Sequence, residues 1–276
     1  MKLAALQMTS GPDVTANLEQ ARVLLEEAAA LGARLAALPE NFSFMGLRDA
    51  DKRAVVESDG VGPVQDFLAG TARRLGLWII GGTVPLRAGA DGRVAAASLV
   101  YDAAGNRVAR YDKIHLFDVD LPEHAESYRE SAHVAPGARA VVLDTPMGRL
   151  GLSVCYDIRF PELYRRLSAQ GAQIIAIPAA FTSPTGRAHW ETLLRARAIE
   201  NLCYVIAPAQ SGFHPNGRET YGDSMIVDFW GRILRRVPRG RGCAVATADL
   251  ASQASVRKSF PALAHRAFSE GTSAHE

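Results

Sequence analysis

The chain is 276 residues long, 48% hydrophobic and 22% charged, an ordinary globular composition that builds a core without disulfides or structural metals. Lys and Arg number 31 against 29 Asp and Glu, and the resulting +2 argues against a dedicated nucleic-acid binder. Three cysteines, an odd number, argue against a disulfide framework and point to a reducing compartment, so the expectation is a cytoplasmic protein.

Residues 3–8 read as a strand, too soon interrupted by Gln7 and Gly11-Pro12-Asp13 to be a signal peptide. A helix is predicted over 17–31, where Leu18, Ala21, Leu24, Leu25, Ala28 and Ala29 fall at helical spacing and Gly32 follows. A second strand, 33–38, is stopped by Pro39. A helix at 63–75 is closed by Gly76, and 78–82 reads as a buried strand. Runs 94–101 and 107–111 flank a hairpin signal ending in Gly105-Asn106, and 141–143 and 150–154 flank another at Thr145-Pro146-Met147-Gly148. Then come a helix at 160–170, a strand at 174–177, a helix at 189–200, and strands at 204–207, 224–227, 233–236 and 244–247. The longest uncharged stretch, 167–186, holds Gly171, Pro178, Pro184 and Gly186 and is not a membrane span. This mixture of βα units and hairpins predicts an α/β (α+β) protein, with mixed sheets covered by helices. One domain is expected over 1–270, with 271–276 as a loose tail. The basic run from Arg232 to Arg241 surrounds a strand and turn and reads as solvated surface. No GxGxxG or GxxxxGK[ST] pattern is present.

Three segments carry chemistry. Glu40, in Leu38-Pro39-Glu40-Asn41-Phe42, sits directly behind a predicted strand. Lys113, in Tyr111-Asp112-Lys113-Ile114-His115, follows another, and Cys155 lies where the apolar run ending at Val154 meets the helical pattern. Strand ends of α/β sheets converge on a common crevice, so the three can face one another. A thiol at a helix start beside a cation is expected to have a lowered pKa. Glu40 could carry its proton to a leaving amine, while Lys113 and the Tyr156 backbone N–H could stabilise an oxyanion. Only four of the 31 basic residues are lysines (Lys2, Lys52, Lys113, Lys258), so a mid-chain Lys marks a place where a compact ammonium is preferred to a guanidinium fork. Cys203 and Cys243 read as core filler.

LPENF at Glu40, YDKIHLFD at Lys113, GLSVCYDIRFPE at Cys155, the stretch 178–201 and YGDSMIVDFWG at 221–231 together resemble the nitrilase superfamily of carbon–nitrogen hydrolases, from Leu3 to about Arg266. The resemblance implies a four-layer α-β-β-α sandwich, a Glu40–Lys113–Cys155 triad, a further active-site glutamate at Glu130, no metal or cofactor, and a homodimer. Within the superfamily the chain looks like the Nit branch, which implies a small anionic substrate, the amide of a 2-oxo dicarboxylic acid. Tyr156, Arg159, Phe181 and Thr185 would then bind it, Arg159 being suited to grip a carboxylate. The stretch Ala207–Gly222 is more like the enzymes that act on deaminated glutathione (2-oxoglutaryl-Cys-Gly) than like those that take 2-oxoglutaramate. The loop 213–219 offers polar groups to the carboxylate of a larger leaving group or is simply an exposed hairpin tip, and no residue in it is assigned a role. Three rivals stand beside this reading: a Cys-His hydrolase using His115 or His189, a metal site from His115, Asp118, Asp120 and His124, whose spacing matches no common zinc pattern, and a binding protein without activity.

Overall fold

The computed structural model describes residues 1–89, 91–121 and 126–267. In chain order the elements are β1 (Lys2–Gln7), α1 (Val14–Ala30), β2 (Leu35–Ala37), α2 (Pro63–Leu75), β3 (Trp78–Ile80), β4 (Val84–Arg87), β5 (Val94–Tyr101), β6 (Arg107–Asp112), β7 (Asp118–Leu121), β8 (Glu126–Arg129), β9 (Val141–Thr145), β10 (Gly148–Leu152), α3 (Pro161–Ala169), β11 (Ile174–Ala176), α4 (Ser183–Asn201), β12 (Tyr204–Ala207), β13 (Ser211–Phe213), β14 (Glu219–Tyr221), β15 (Ser224–Val227), β16 (Ile233–Val237), β17 (Gly242–Thr247) and α5 (Leu250–Ser259).

Two large sheets form the middle of the molecule. One runs β17-β1-β2-β3-β5-β4 with β6 also on β5, and the other runs β16-β15-β12-β11-β10-β9. Each is built on a parallel triplet, β1-β2-β3 and β10-β11-β12, whose crossovers are the helix pairs α1, α2 and α3, α4. Side-chain alternation assigns the layers. Leu3 and Ala5 of β1 pack with Leu150, Leu152 and Ile174 of the second sheet. Ala4 and Leu6 pack outward against Leu24 and Leu25 of α1 and Leu68 of α2. Trp190, Leu194 and Ala198 of α4, with Tyr164 and Leu167 of α3, close the far side of the second sheet. The result is the four-layer α-β-β-α sandwich, with the carboxyl ends of both parallel triplets supplying the loops that hold Glu40, Cys155 and Phe181.

The structure departs from the sequence reading in several boundaries. Helix α4 starts at Ser183, six positions before the predicted start at 189, because Pro184 fits a first helical turn and Gly186 lets the Tyr221 ring pack on the helix: a Cβ there would stand 2.3 Å from that side chain. Helix α1 starts at Val14, capped by Asp13, which accepts from Ala16 N. Helix α5 was not expected, although Asp249 caps it through Ala251 N and Ser252 N. Strand β4 contains Pro85 and is the last strand of its sheet, pairing with β5 on one side and bridging only Glu57 on the other, an edge position that tolerates the missing donor. The acidic stretch after His115 enters an antiparallel pair, β7–β8. No described helix is long and apolar enough to cross a membrane.

Candidate active site

Glu40 follows β2 through Leu38 and Pro39. This turn presses on Gly82, where a Cβ would meet the Pro39 carbonyl oxygen at 2.0 Å. Gln210 Nε2 donates to the Glu40 carbonyl (3.0 Å), and Asn41 N donates to Thr83 Oγ1 (2.8 Å), fixing the turn on both sides. Lys113 follows β6, its amide bonded to Ala96 O at 3.1 Å. Cys155 follows β10 and opens a short 3-10 helix, Cys155–Arg159, with its amide bonded to Pro178 O at 2.9 Å. Its φ is +49°, a left-handed conformation that a side-chain-bearing residue adopts at an energetic cost and that marks a sharp elbow.

These three side chains meet. Lys113 Nζ stands 2.8 Å from Glu40 Oε1 and 3.0 and 2.8 Å from the two oxygens of Glu130. Glu130 also accepts from Phe117 N (2.7 Å). Cys155 lines the same pocket, close enough that the charges of Glu40 and Lys113 both act on its thiol. Glu40, Lys113 and Cys155 are 5%, 1% and 8% exposed, so their charges interact in a medium far less screening than water.

Burial alone would push the Glu40 carboxyl up, but the charge and hydrogen bond of Lys113 outweigh it and hold Glu40 below the ordinary glutamate range. Burial likewise works against the Lys113 ammonium, and the carboxylates of Glu130 and Glu40 overcome it, raising Lys113 well above its usual value. For Cys155, burial and the negative charge of Glu40 raise the thiol well above its usual value against the opposing pull of Lys113. This corrects the expectation of a lowered thiol pKa. At rest the set is a carboxylate, an ammonium and a protonated thiol, because the Glu40 carboxylate repels a second anion.

Behind the elbow lies a carboxylate that the sequence reading passed over. Asp157 is fully buried and accepts from Tyr111 Oη (2.6 Å), Val154 N (2.8 Å) and His115 N (3.0 Å), and it stands 2.7 Å from His115 Nδ1. The His115 ring stacks on Phe160 at 3.7 Å. Burial and the Asp157 charge push the Tyr111 phenol up, so it remains a donor. Asp157 thus ties the strand carrying Lys113 to the helix carrying Cys155.

Glu40, Lys113, Glu130, Cys155, Tyr156, Phe181 and Thr185 line one pocket. Arg159 is not in that lining. Its guanidinium carbon lies 5.8 Å from the Tyr156 ring centroid and 5.3 Å from that of Phe181, and Nη1 is 3.2 Å from His189 Nδ1. The two aromatic faces and the imidazole hold it, and neither Asp157 nor Glu162 does. Asn41, Asp49, Lys52, Phe117, Tyr128, Ala180 and Arg218 complete the wall without having been assigned to it from the sequence. The scarcity of lysine that singled out Lys113 applied equally to Lys52. His115 and His189 do not line the pocket. Among the described residues no group of three or more His, Cys, Asp or Glu is arranged to hold a metal ion, and His124 lies outside them. Cys203 and Cys243 are held up to about 12 by burial, as core thiols are.

A thiol sharing a pocket with an ion-paired carboxylate and ammonium is the equipment of a hydrolase that attacks a carbonyl through sulfur. Residues 2–258 match the carbon-nitrogen hydrolase family, and the chain belongs to it, within the nitrilase superfamily. It is accordingly a hydrolase of carbon–nitrogen bonds other than peptide bonds. It is 45% identical over 268 residues to the deaminated glutathione amidase of Synechocystis sp. (strain PCC 6803 / GT-S), covering 96% of this chain and 97% of that one. Among solved structures it is similar to the C. elegans NitFhit protein (38% identity, TM-score 0.89), covering 96% of this chain and spanning only 65% of that longer one. It is also similar to Saccharomyces cerevisiae Nit3, a member of branch 10 of the nitrilase superfamily (29% identity, TM-score 0.85, 95% of this chain and 94% of that one).

Proposed function

We propose that this hydrolase cleaves the amide of a 2-oxo dicarboxylic acid, with deaminated glutathione as its substrate, through a thioester on Cys155. The observation that carries the mechanism is the meeting of Glu40, Lys113 and Cys155 in one pocket, with Glu40 ion-paired to Lys113. Glu40 takes the thiol proton as sulfur attacks the amide carbonyl. This timing suits a thiol held high, since the anion forms only as its charge passes into the substrate. The tetrahedral oxyanion is met by Lys113 Nζ and the Tyr156 N–H. Glu40, now protonated, gives that proton to the amine as the C–N bond breaks, leaving a 2-oxoglutaryl thioester and free Cys-Gly. Glu40 then takes a proton from water, whose oxygen attacks the thioester, and returns it to sulfur as 2-oxoglutarate leaves. Glu130 holds Lys113 in place through both oxygens.

Tyr156, Phe181 and Thr185 form the wall for the acyl chain. Arg159, behind two of them, supplies positive potential toward its carboxylate and fixes both rings by cation–π contact. The name of the 45% identical relative supports deaminated glutathione over 2-oxoglutaramate. The two cores draw on side chains from Met1 to Val256, which supports one catalytic domain. Free cysteines fit a reducing cytoplasm. A homodimer is supported by the exposed aromatic pair Trp230 and Phe260, whose centroids are 5.7 Å apart, near exposed Ile199. The test of the substrate is a side-by-side kcat/KM for deaminated glutathione and 2-oxoglutaramate. A ratio well above one is expected, and a ratio well below one makes the enzyme an ω-amidase.

A further inference from the structure

The cations around the pocket divide by what already satisfies them. Lys113 is bound to two carboxylates, and Arg159 is held by rings and His189. Lys52 and Arg218 also line the pocket and form no ion pair among the described residues, and of the two only Arg218 has a buried N–H without an acceptor. Its Nη2 donates to Ala180 O at 3.3 Å, and its guanidinium carbon lies 4.8 Å from the Tyr128 centroid. Its Nε is buried and has no hydrogen-bond partner among the described residues. A guanidinium N–H shielded from water without an acceptor is a costly arrangement that an entering carboxylate relieves.

The backbone beneath Arg218 is fixed rather than loose. Arg218 lies in the turn between β13 and β14. Its amide donates to Asn216 Oδ1 (3.0 Å) and its carbonyl accepts from His214 N (2.9 Å). Asn216 Nδ2 reaches across to Gly46 O at 3.0 Å. His214 is buried, with Nδ1 2.8 Å from Ser10 O and Nε2 2.7 Å from Thr220 Oγ1. The hairpin is therefore pinned to the loops after β1 and β2, and the arginine it carries is positioned in advance.

Resting on the thioester reading above, we propose that Arg218 holds a carboxylate on the leaving-group side of the scissile amide. The site would then select amides whose departing amine is itself anionic, an amino acid or short peptide, over primary amides. The acyl half stays on Cys155 after the first step, and the amine half leaves first. Arg218 reaches the wall from the turn of the β13–β14 hairpin, whose Phe213 is 74% exposed. A planar fork there meets a terminal carboxylate in two hydrogen bonds, which an ammonium does not reproduce.

The test measures kcat/KM of wild type, R218Q and R218K on three amides sharing one acyl group: deaminated glutathione, its analogue with the glycyl carboxylate converted to an amide, and 2-oxoglutaramate. R218Q is expected to lose about 10–100-fold on deaminated glutathione, mainly through KM. R218K recovers part of it, and the loss on the other two amides is at least tenfold smaller, which also shows that the variant is folded. Equal losses on all three, or no loss on deaminated glutathione, overturn the role of Arg218 while leaving the substrate reading intact. A wild type that cleaves 2-oxoglutaramate but not deaminated glutathione overturns the substrate reading and this proposal with it.

Discussion

The floor and the rim of the pocket satisfy their charges in opposite ways. On the floor, the ionised groups are bonded to one another: buried Lys113 to buried Glu40 and to half-buried Glu130. Around it, at what serves as its rim, Arg218 in the wall and Arg159 behind Tyr156 and Phe181 lie half-buried over aromatic faces and form no ion pair among the described residues. A closed set of charges is preorganised for one proton-transfer sequence, and its one ammonium serves the oxyanion common to every amide rather than the choice among them. Open guanidinium groups do the reverse. The comparison assigns the reaction to the floor and the choice of substrate to the rim.

Changes to the floor should therefore reduce kcat for every amide. Cys155→Ala is expected to lose at least ~10⁴-fold in turnover, and Cys155→Ser nearly as much, because a hydroxyl ionises far less readily than a thiol. Glu40→Gln should cost about 10²–10⁴-fold. It should also remove the acid limb of the kcat/KM profile. Glu40 acts as a base only when ionised, and since Lys113 holds its carboxyl down, the wild-type limb is expected below pH 4.5, the ordinary glutamate value. Lys113→Arg keeps the charge but places a fork where two carboxylates are spaced for a compact ammonium, and a loss of about 10²–10³-fold is expected.

Asp157→Asn sharpens the boundary of the floor. The amide nitrogen would face donors that now share a carboxylate, so unfolding stability should fall by about 2–4 kcal/mol. A positioning role further requires kcat to drop on both amides while KM barely moves. A drop in melting temperature with unchanged kcat would make Asp157 purely structural. The smallest effect is expected at the rim, where Arg159→Lys should raise KM for 2-oxo amides several-fold through weaker contact with Tyr156 and Phe181. An equal fall in kcat there would erase the distinction between floor and rim.

Much of the floor was legible in the sequence, because Glu40, Lys113 and Cys155 each follow a predicted strand and strand ends converge. Asp157 was not, since nothing in CYDIR says whether its carboxylate faces water or four buried donors. The thiol pKa was misjudged for a related reason. Local sequence shows a helix start and suggests stabilisation of an anion, whereas the burial and the Glu40 charge that prevail come from elsewhere in the chain. Pro184 and Gly186 disguised the first turn of α4 as a loop, although one suits a helix start and the other makes room for Tyr221. The rim was least legible, because Arg218 reaches the pocket only through contacts of its hairpin with Ser10 and Gly46.

The central claim, one acyl group passed through one sulfur, can be tested by partitioning. Deaminated glutathione and 2-oxoglutaramate carry the same acyl group on different amines, so with hydroxylamine present both should yield hydroxamate and 2-oxoglutarate in one identical ratio set by a shared thioester. A ratio that changes with the leaving amine would mean that no common intermediate forms on Cys155.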